Sequence, residues 1–251
     1  MSDTKTVLDI MKENNVEFVD FRFTDPRGKW QHTAQHVSTV DEDLLTNGVM
    51  FDGSSIAGWK AINESDMILM PDLASAVMDP FTAQPQLILF CDVLEPATGE
   101  PYTRDPRGTA KLALSYLEAS GAGDAAYFGP EAEFFVFDDV RYEASMNRSF
   151  YEVDSDEGPY NSGRDFPEGN LGHRPGIKGG YFPVAPVDPC TDIRAEMVTT
   201  MLEMGLPCDK HHHEVAAAQH EGHLGAAAHV LLVLLGVPVP HVPVHHAAHG
   251  G

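Results

Sequence analysis

The chain has 251 residues, with 38 acidic against 16 basic side chains and a formal net charge of -22. That length and a 43% hydrophobic content supply one large core or two modest ones, and exclude a disordered chain. So negative a molecule repels a phosphate backbone and an anionic bilayer alike, which argues against nucleic-acid and membrane partners.

The opening segment MSDTKTVLDIMKENN lacks the apolar stretch and small-residue cleavage site of a secretory signal, so a cytoplasmic location is expected. Val7, Leu8, Ile10 and Met11 fall at helical spacing and predict an amphipathic helix over 4–15. Strands are expected at 17–23 and 87–93. Between them lie the turn formers Asn47-Gly48, Asp52-Gly53 and Asp79-Pro80, which together predict a small α+β domain of about 100 residues. The Pro-rich segment EPATGEPYTRDP marks a boundary, giving a first domain over 1–105 and a second over 106–221.

In the second domain, Ala110, Leu114 and Leu117 predict the inward face of a helix over 109–120 that stops at Gly121. A further helix over 192–204 is expected to turn Ile193, Met197, Val198, Met201 and Leu202 inward, with Thr191 or Asp192 as cap and Gly205 as stop. The segment 142–180 reads as a long polar loop of the kind that is functional or mobile. Cys91, Cys190 and Cys208 form neither a CxxC pair nor an even set, and are expected to be buried thiols. Asn147-Arg148-Ser149 matches a glycosylation sequon but has no secretory route to use it.

Two segments carry chemistry. The run Gly129 to Phe137 reads as a strand, and its period of two puts Glu131, Glu133, Phe135 and Phe137 on one face. Same-face carboxylates about 7 Å apart suit two adjacent divalent cations, the alternative being a solvated acidic edge. The second segment is HHHEVAAAQHE, residues 211–221. An HExxH zinc motif requires histidine at 217, where the chain has Ala217. Carboxylates favour magnesium or manganese, whereas the imidazoles alone suit zinc, copper or nickel. On a strand only His211 and His213 of the three consecutive histidines converge, and most of these rings are expected in surface or core roles. Lys178-Gly179-Gly180-Tyr181 lacks the GxxxxGK[ST] order, and no GxGxxG follows a strand, so residue chemistry alone does not support nucleotide use.

The stretches NGVMFDGSSIAGWKAINESDMILMPD (47–72), FGPEAEFFVFDD (128–139), HRPGIKGGYFPVAPVD (173–188) and HHHEVAAAQHE (211–221) together resemble type I glutamine synthetase. The resemblance covers 1–221. It implies an α+β protein, with a β-grasp-like N-terminal domain followed by the incomplete opening of an α/β catalytic domain. It implies an ATP-dependent glutamate–ammonia ligase, which forms glutamine through γ-glutamyl phosphate with Mg2+ or Mn2+ as cofactor, ATP as substrate, and glutamate and ammonia as partners. Carried over by position, Glu133, Glu214 and Glu221 match ligands of a first metal and Glu131 a ligand of a second. Asp52 matches the aspartate that binds and deprotonates ammonium, with Ser55 and Asp66 beside it. Asp209 takes the place of a glutamate that contacts ATP, one methylene shorter. In the family the Asp52 position serves a neighbouring subunit, which implies a homo-oligomer.

After Glu221 the resemblance stops. Residues 222–251 contain no Asp, Glu, Lys or Arg, and six histidines, His223, His229, His241, His245, His246 and His249. An abrupt shift inside a motif reads as translation in a wrong frame, and the apolar run near 230–235 is far shorter than the roughly 20 residues of a membrane span. A truncated synthetase with little or no activity alone is therefore expected. The alternatives are a non-catalytic subunit that modulates intact synthetase rings, and a stand-alone metal-binding protein.

Overall fold

A computed structural model describes residues 3–129, 131–160 and 173–224, and the tail beyond 224 lies outside the described residues. The described chain forms two compact units that divide between Tyr127 and Phe128.

The first unit begins with α1 (Thr4–Glu13), whose N-terminal amide at Thr6 is capped by Asp3 at 2.8 Å and whose apolar stripe buries Val7 and Met11. There follow β1 (Phe18–Thr24), β2 (Trp30–His36), α2 (Glu42–Asn47), β3 (Val49–Asp52), β4 (Asp66–Pro71), β5 (Val77–Met78) and β6 (Gln86–Leu94). The sheet has the order β2-β1-β6-β4-β3, with β5 on β6. At its centre β1 and β6 run parallel, and the other neighbours pair antiparallel. A parallel central pair is covered on both faces, which is why the β6 residues LILFC, 87–91, read as a continuous apolar run instead of alternating. Val19, Phe21, Met67, Leu69, Leu87 and Leu89 form the centre of the core. Gly48 ends α2 at φ +82°, and a Cβ there would sit 2.7 Å from the Leu69 carbonyl.

Next comes α3 (Pro106–Ser120), capped by Asp105 and closed by Gly121 at φ +69°, the stop the sequence predicts. Ala110, Leu114 and Leu117 are half-buried, whereas Leu112 and Tyr116 face solvent. The helix is held to the sheet by Arg107, which is buried and pairs with Asp72 and, at 2.5 Å, with Asp92; Lys111 also reaches Asp92.

The second unit contains β7 (Glu131–Phe135), β8 (Asp139–Ala144), β9 (Ser149–Asp154), α4 (Thr191–Glu203), β10 (Cys208–His213) and β11 (Gln219–Leu224). An antiparallel sheet of order β10-β11-β7 carries the chemistry-bearing segments, and β8 pairs with β9 as a separate hairpin. Two expectations are corrected. The polar segment from 142 is not wholly a loop, because its first part is the β8–β9 hairpin; its stretch 161–172 lies outside the described residues. The inward face of α4 is also not the apolar one. Of the five residues expected inward, Val198 and Met201 are half-buried but Ile193, Met197 and Leu202 are exposed, and Arg194 is buried because Asp188 and two histidines of the sheet satisfy its guanidinium. The three cysteines are buried and reduced, and burial raises each thiol pKa. Among the described residues no helix is long and apolar enough to cross a membrane.

Candidate metal centre

The pairing of the three-stranded sheet decides which side chains meet. Glu221 on β11 is the register partner of Glu133 on β7 and of His212 on β10. Directly opposed residues share a face, so Glu133, Glu221 and His212 form one row across the whole sheet. Glu131 lies two residues before Glu133 and joins that face, as does Glu214, two residues after His212. The ligand atoms of Glu131, Glu133 and Glu221 all lie within 4.8 Å of one another, and so do those of His212, Glu214 and Glu221. Glu221 thus belongs to both groups. Glu214 and Glu221 are buried, while Glu131 and Glu133 open to solvent.

The turn from β10 to β11 fixes Glu214. Its amide donates to the Gln219 carbonyl at 2.8 Å, and the Ala216 amide donates to Gln219 Oε1 at 3.1 Å. The other end of the Gln219 side chain donates through Nε2 to Glu133 Oε2 at 3.0 Å, tying the turn to β7. From outside, the Gly180 amide donates to the Val215 carbonyl at 2.9 Å. A Cβ on Gly180 would lie 2.5 Å from the Glu214 carbonyl oxygen. The second glycine of the KGGY segment therefore serves close backbone approach to this turn.

Electrostatics mark the cluster as incomplete by itself. Burial, followed by the adjacent Glu214 carboxyl, pushes Glu221 up to about 7. Burial alone would raise Glu214 too, but the Val215 amide, Glu221 and His212 hold it below its ordinary value. The pair therefore retains a proton near neutrality, as two carboxylates do when no cation separates them. No lysine or arginine among the described residues pairs with Glu131, Glu133 or Glu214. His212 Nδ1 donates to the His213 carbonyl at 3.0 Å, and its Nε2 lies 3.5 Å from Glu221 Oε2. A backbone-bonded Nδ1 is the usual orientation of a ligating histidine. The donor set fits a hard divalent cation.

Sequence reasoning singled out the four glutamates that the sheet brings near one another, and not the adjoining His212, Gln219 and Tyr181, whose phenol pKa is raised first by the charge of Glu214. The alternation that separates His212 from its neighbours also joins it to Glu214, a signal present in the sequence. Asp209 lies exposed near the start of β10, outside both carboxylate groups. Asp52, Ser55 and Asp66 belong to the first unit. Asp52 is the register partner of Asp66, and its Oδ1 accepts from the Ser54 hydroxyl at 2.6 Å and the Ser54 amide at 2.8 Å. Those bonds hold the exposed Asp52 carboxyl below the usual range. Ser55 is exposed in the 3-10 turn Gly53–Ser55.

A central parallel strand pair flanked by antiparallel strands, followed by a sheet-borne carboxylate cluster, defines a two-part α+β protein. Residues 15–96 match the glutamine synthetase β-grasp domain, and residues 103–232 match the glutamine synthetase catalytic domain. The chain is 66% identical over 221 residues to a glutamine synthetase of Azospirillum brasilense and 61% identical over 221 residues to one of Rhizobium meliloti. Each alignment covers 88% of this chain and 47% of the relative. A cryo-EM structure of Plasmodium falciparum glutamine synthetase has the same fold, with a TM-score of 0.81 at 24% identity over 90% of this chain and 45% of that one. This chain belongs to the glutamine synthetase family. It spans about half the length of the curated relatives it matches.

Proposed function

We propose that the chain is the ammonium- and metal-binding front half of a glutamate–ammonia ligase, which joins glutamate and ammonia at the expense of ATP through γ-glutamyl phosphate. The observation that carries this reading is that Glu133, from a distant segment, and Glu214, from the β10–β11 turn, each come together with Glu221 on one face of the β10-β11-β7 sheet. These three residues would hold a first Mg2+ or Mn2+, with His212 beside them, and Glu131 would contribute to a second. Bound there, the cations would neutralise charge on the transferring phosphoryl group. Asp52 is kept anionic by Ser54 and would attract ammonium and take its proton, with Ser55 and Asp66 alongside. Asp209 would approach ATP.

The domains in this reading are 1–105 and 106–221, assembled in a cytoplasmic homo-oligomer. Residues 222–251 are a divergent tail produced by a frame change. One metal's ligands are largely absent from the chain, so it has little or no ligase activity alone. A biosynthetic assay that follows glutamine and phosphate from purified chain with Mg2+ tests this. Turnover close to that of a full-length relative would overturn the truncation reading, and Mn2+ binding unaffected by Glu133→Gln would overturn the metal assignment.

A further inference from the structure

Behind the carboxylate face, the same sheet carries a second cluster. His213 and His220 are register partners on β10 and β11, one position removed from the His212–Glu221 pair, and so lie on the opposite face. Between them sits Glu157, from the turn after β9. Its Oε1 lies 3.4 Å from His213 Nε2 and its Oε2 lies 3.4 Å from His220 Nε2. All three side chains are buried, and among the described residues neither carboxylate oxygen nor either Nε2 has a partner in hydrogen-bond geometry, so the 3.4 Å contacts are ion-pair approaches.

The far side of each ring fixes its role. His213 Nδ1 donates to the Glu214 carbonyl at 2.7 Å, so this ring is bonded directly to the backbone of a proposed metal ligand. Arg194 NH1 lies 2.9 Å from His220 Nδ1 and can only donate, so Nδ1 accepts and the proton of His220 sits on Nε2, facing Glu157. That tautomer leaves His220 no lone pair for a cation at Nε2, which argues against a metal ion in this triad. Arg194 is in turn gripped by both oxygens of Asp188, and Phe134 on β7 packs its ring 5.6 Å from His220. A continuous chain therefore runs from Asp188 through Arg194, His220, Glu157 and His213 to the Glu214 backbone.

We propose that Glu157 is a positioning residue for the metal centre, bridging His213 and His220 from behind the sheet and thereby setting the spacing between Glu214 and Glu221 on its front. The proposal rests on the divalent-cation reading above. Each bridged histidine immediately adjoins one ligand, His213 before Glu214 and His220 before Glu221, so a movement of the bridge is transmitted through a single peptide unit. Stability alone does not account for the cluster, because well-packed apolar side chains of similar volume usually serve a fold as well as buried charges do. What a bridged pair adds is direction and register.

The test compares Glu157→Gln, which keeps the shape, and Glu157→Met, which fills the volume, with the wild-type chain. Two quantities are read: Mn2+ affinity, from the free-ion electron paramagnetic resonance signal, and metal-free thermal stability. We expect the affinity to fall roughly ten- to a hundred-fold, as when supporting groups behind metal ligands are lost, with a melting temperature close to wild type. Unchanged affinity in a folded variant overturns the proposal. So does a loss of affinity that only tracks loss of folding in both variants, because Glu157 would then be a stability element. If Glu133→Gln shows that the wild-type cation is held elsewhere, the metal reading fails separately. The bridge is then decided by hydrogen exchange at the metal-free turn: faster exchange of the Glu214 amide in Glu157→Gln supports it, and unchanged exchange overturns it. One tightly held zinc that survives Glu133→Gln but is lost in Glu157→Gln also overturns it, by making the triad a metal site.

Discussion

Glu133 and Glu221 are register partners across the β7–β11 ladder, and the row continues to His212 on β10. Three strands thus each contribute one group to a line of side chains, and that line is set by backbone pairing and not by a flexible loop. The divalent-cation site proposed above would thus be held in its geometry by the backbone before any ion binds, with electrostatic strain among its carboxylates.

That strain predicts opposite effects of one substitution with and without metal. The Glu221 carboxyl is raised from 4.5 to about 7, so the metal-free fold weakens as pH rises from about 4.5 to about 7, and above that it carries the full cost of the ionised pair. Glu221→Gln should raise the metal-free melting temperature at a pH of about 8, and abolish the increase that Mn2+ gives the wild type. Differential scanning calorimetry with and without Mn2+ checks both signs. A destabilised metal-free variant would contradict the repulsion argument.

Proton release should accompany the ion. Because Glu221 is largely protonated below about 7, Mn2+ affinity should fall as pH drops from about 8 to about 6, with close to one proton released per ion at the lower pH. Calorimetric titration in two buffers of different ionisation enthalpy measures this directly. Buffer-independent heats at a pH of about 6 would count against it.

Asp188 sets the acid limb of stability. Burial alone would raise it, but Arg194 and the Thr191 hydroxyl hold it at about 2 instead of 3.8. A depressed carboxyl contributes stability that is complete above its unfolded value and is lost as pH falls from about 4 through about 2, here on the order of 2 kcal/mol. Asp188→Asn should remove that part of the acid dependence. It should also cost about 3 kcal/mol at neutral pH, by leaving the Arg194 charge buried without its partner. Urea unfolding at a pH of about 7 and of about 3 separates the two effects.

Gly180→Ala should loosen the turn without touching a ligand. The added Cβ meets the Glu214 and Val215 carbonyl oxygens at 2.5 and 2.9 Å, and backbone atoms cannot swing aside. A loss of about 2 kcal/mol in stability and a weaker Mn2+ site are expected. Gly179→Ala, whose Cβ would meet nothing closer than 3.3 Å, should be far milder.

Local patterns made part of this structure legible. The alternation EAEFF gave β7 and its acidic face, and Asp105, Pro106 and Gly121 frame α3 as capping chemistry requires. Non-local facts were not legible. Nothing in 131–135 announces that its partner is 219–224, and that pairing is what makes four scattered glutamates a cluster. The face of α4 was misread because hydrophobic periodicity assumes that apolar residues lead. Here Arg194, satisfied by Asp188 and by His211 and His220, is the buried anchor and leaves Ile193 and Met197 exposed. Glu157 carried no motif at all, and its importance arises only from where the chain brings it.

The Arg107 anchor has a practical consequence. A natural place to cut the protein in two is the Pro-rich segment before α3, yet Asp72 and Asp92 find their buried cationic partner only beyond it, on the helix itself. A fragment ending at residue 105 would expose two carboxylates beside the sheet and lose its lid. One carried on to Tyr127 keeps the helix as its own cover and is the piece to express when the first unit is wanted alone.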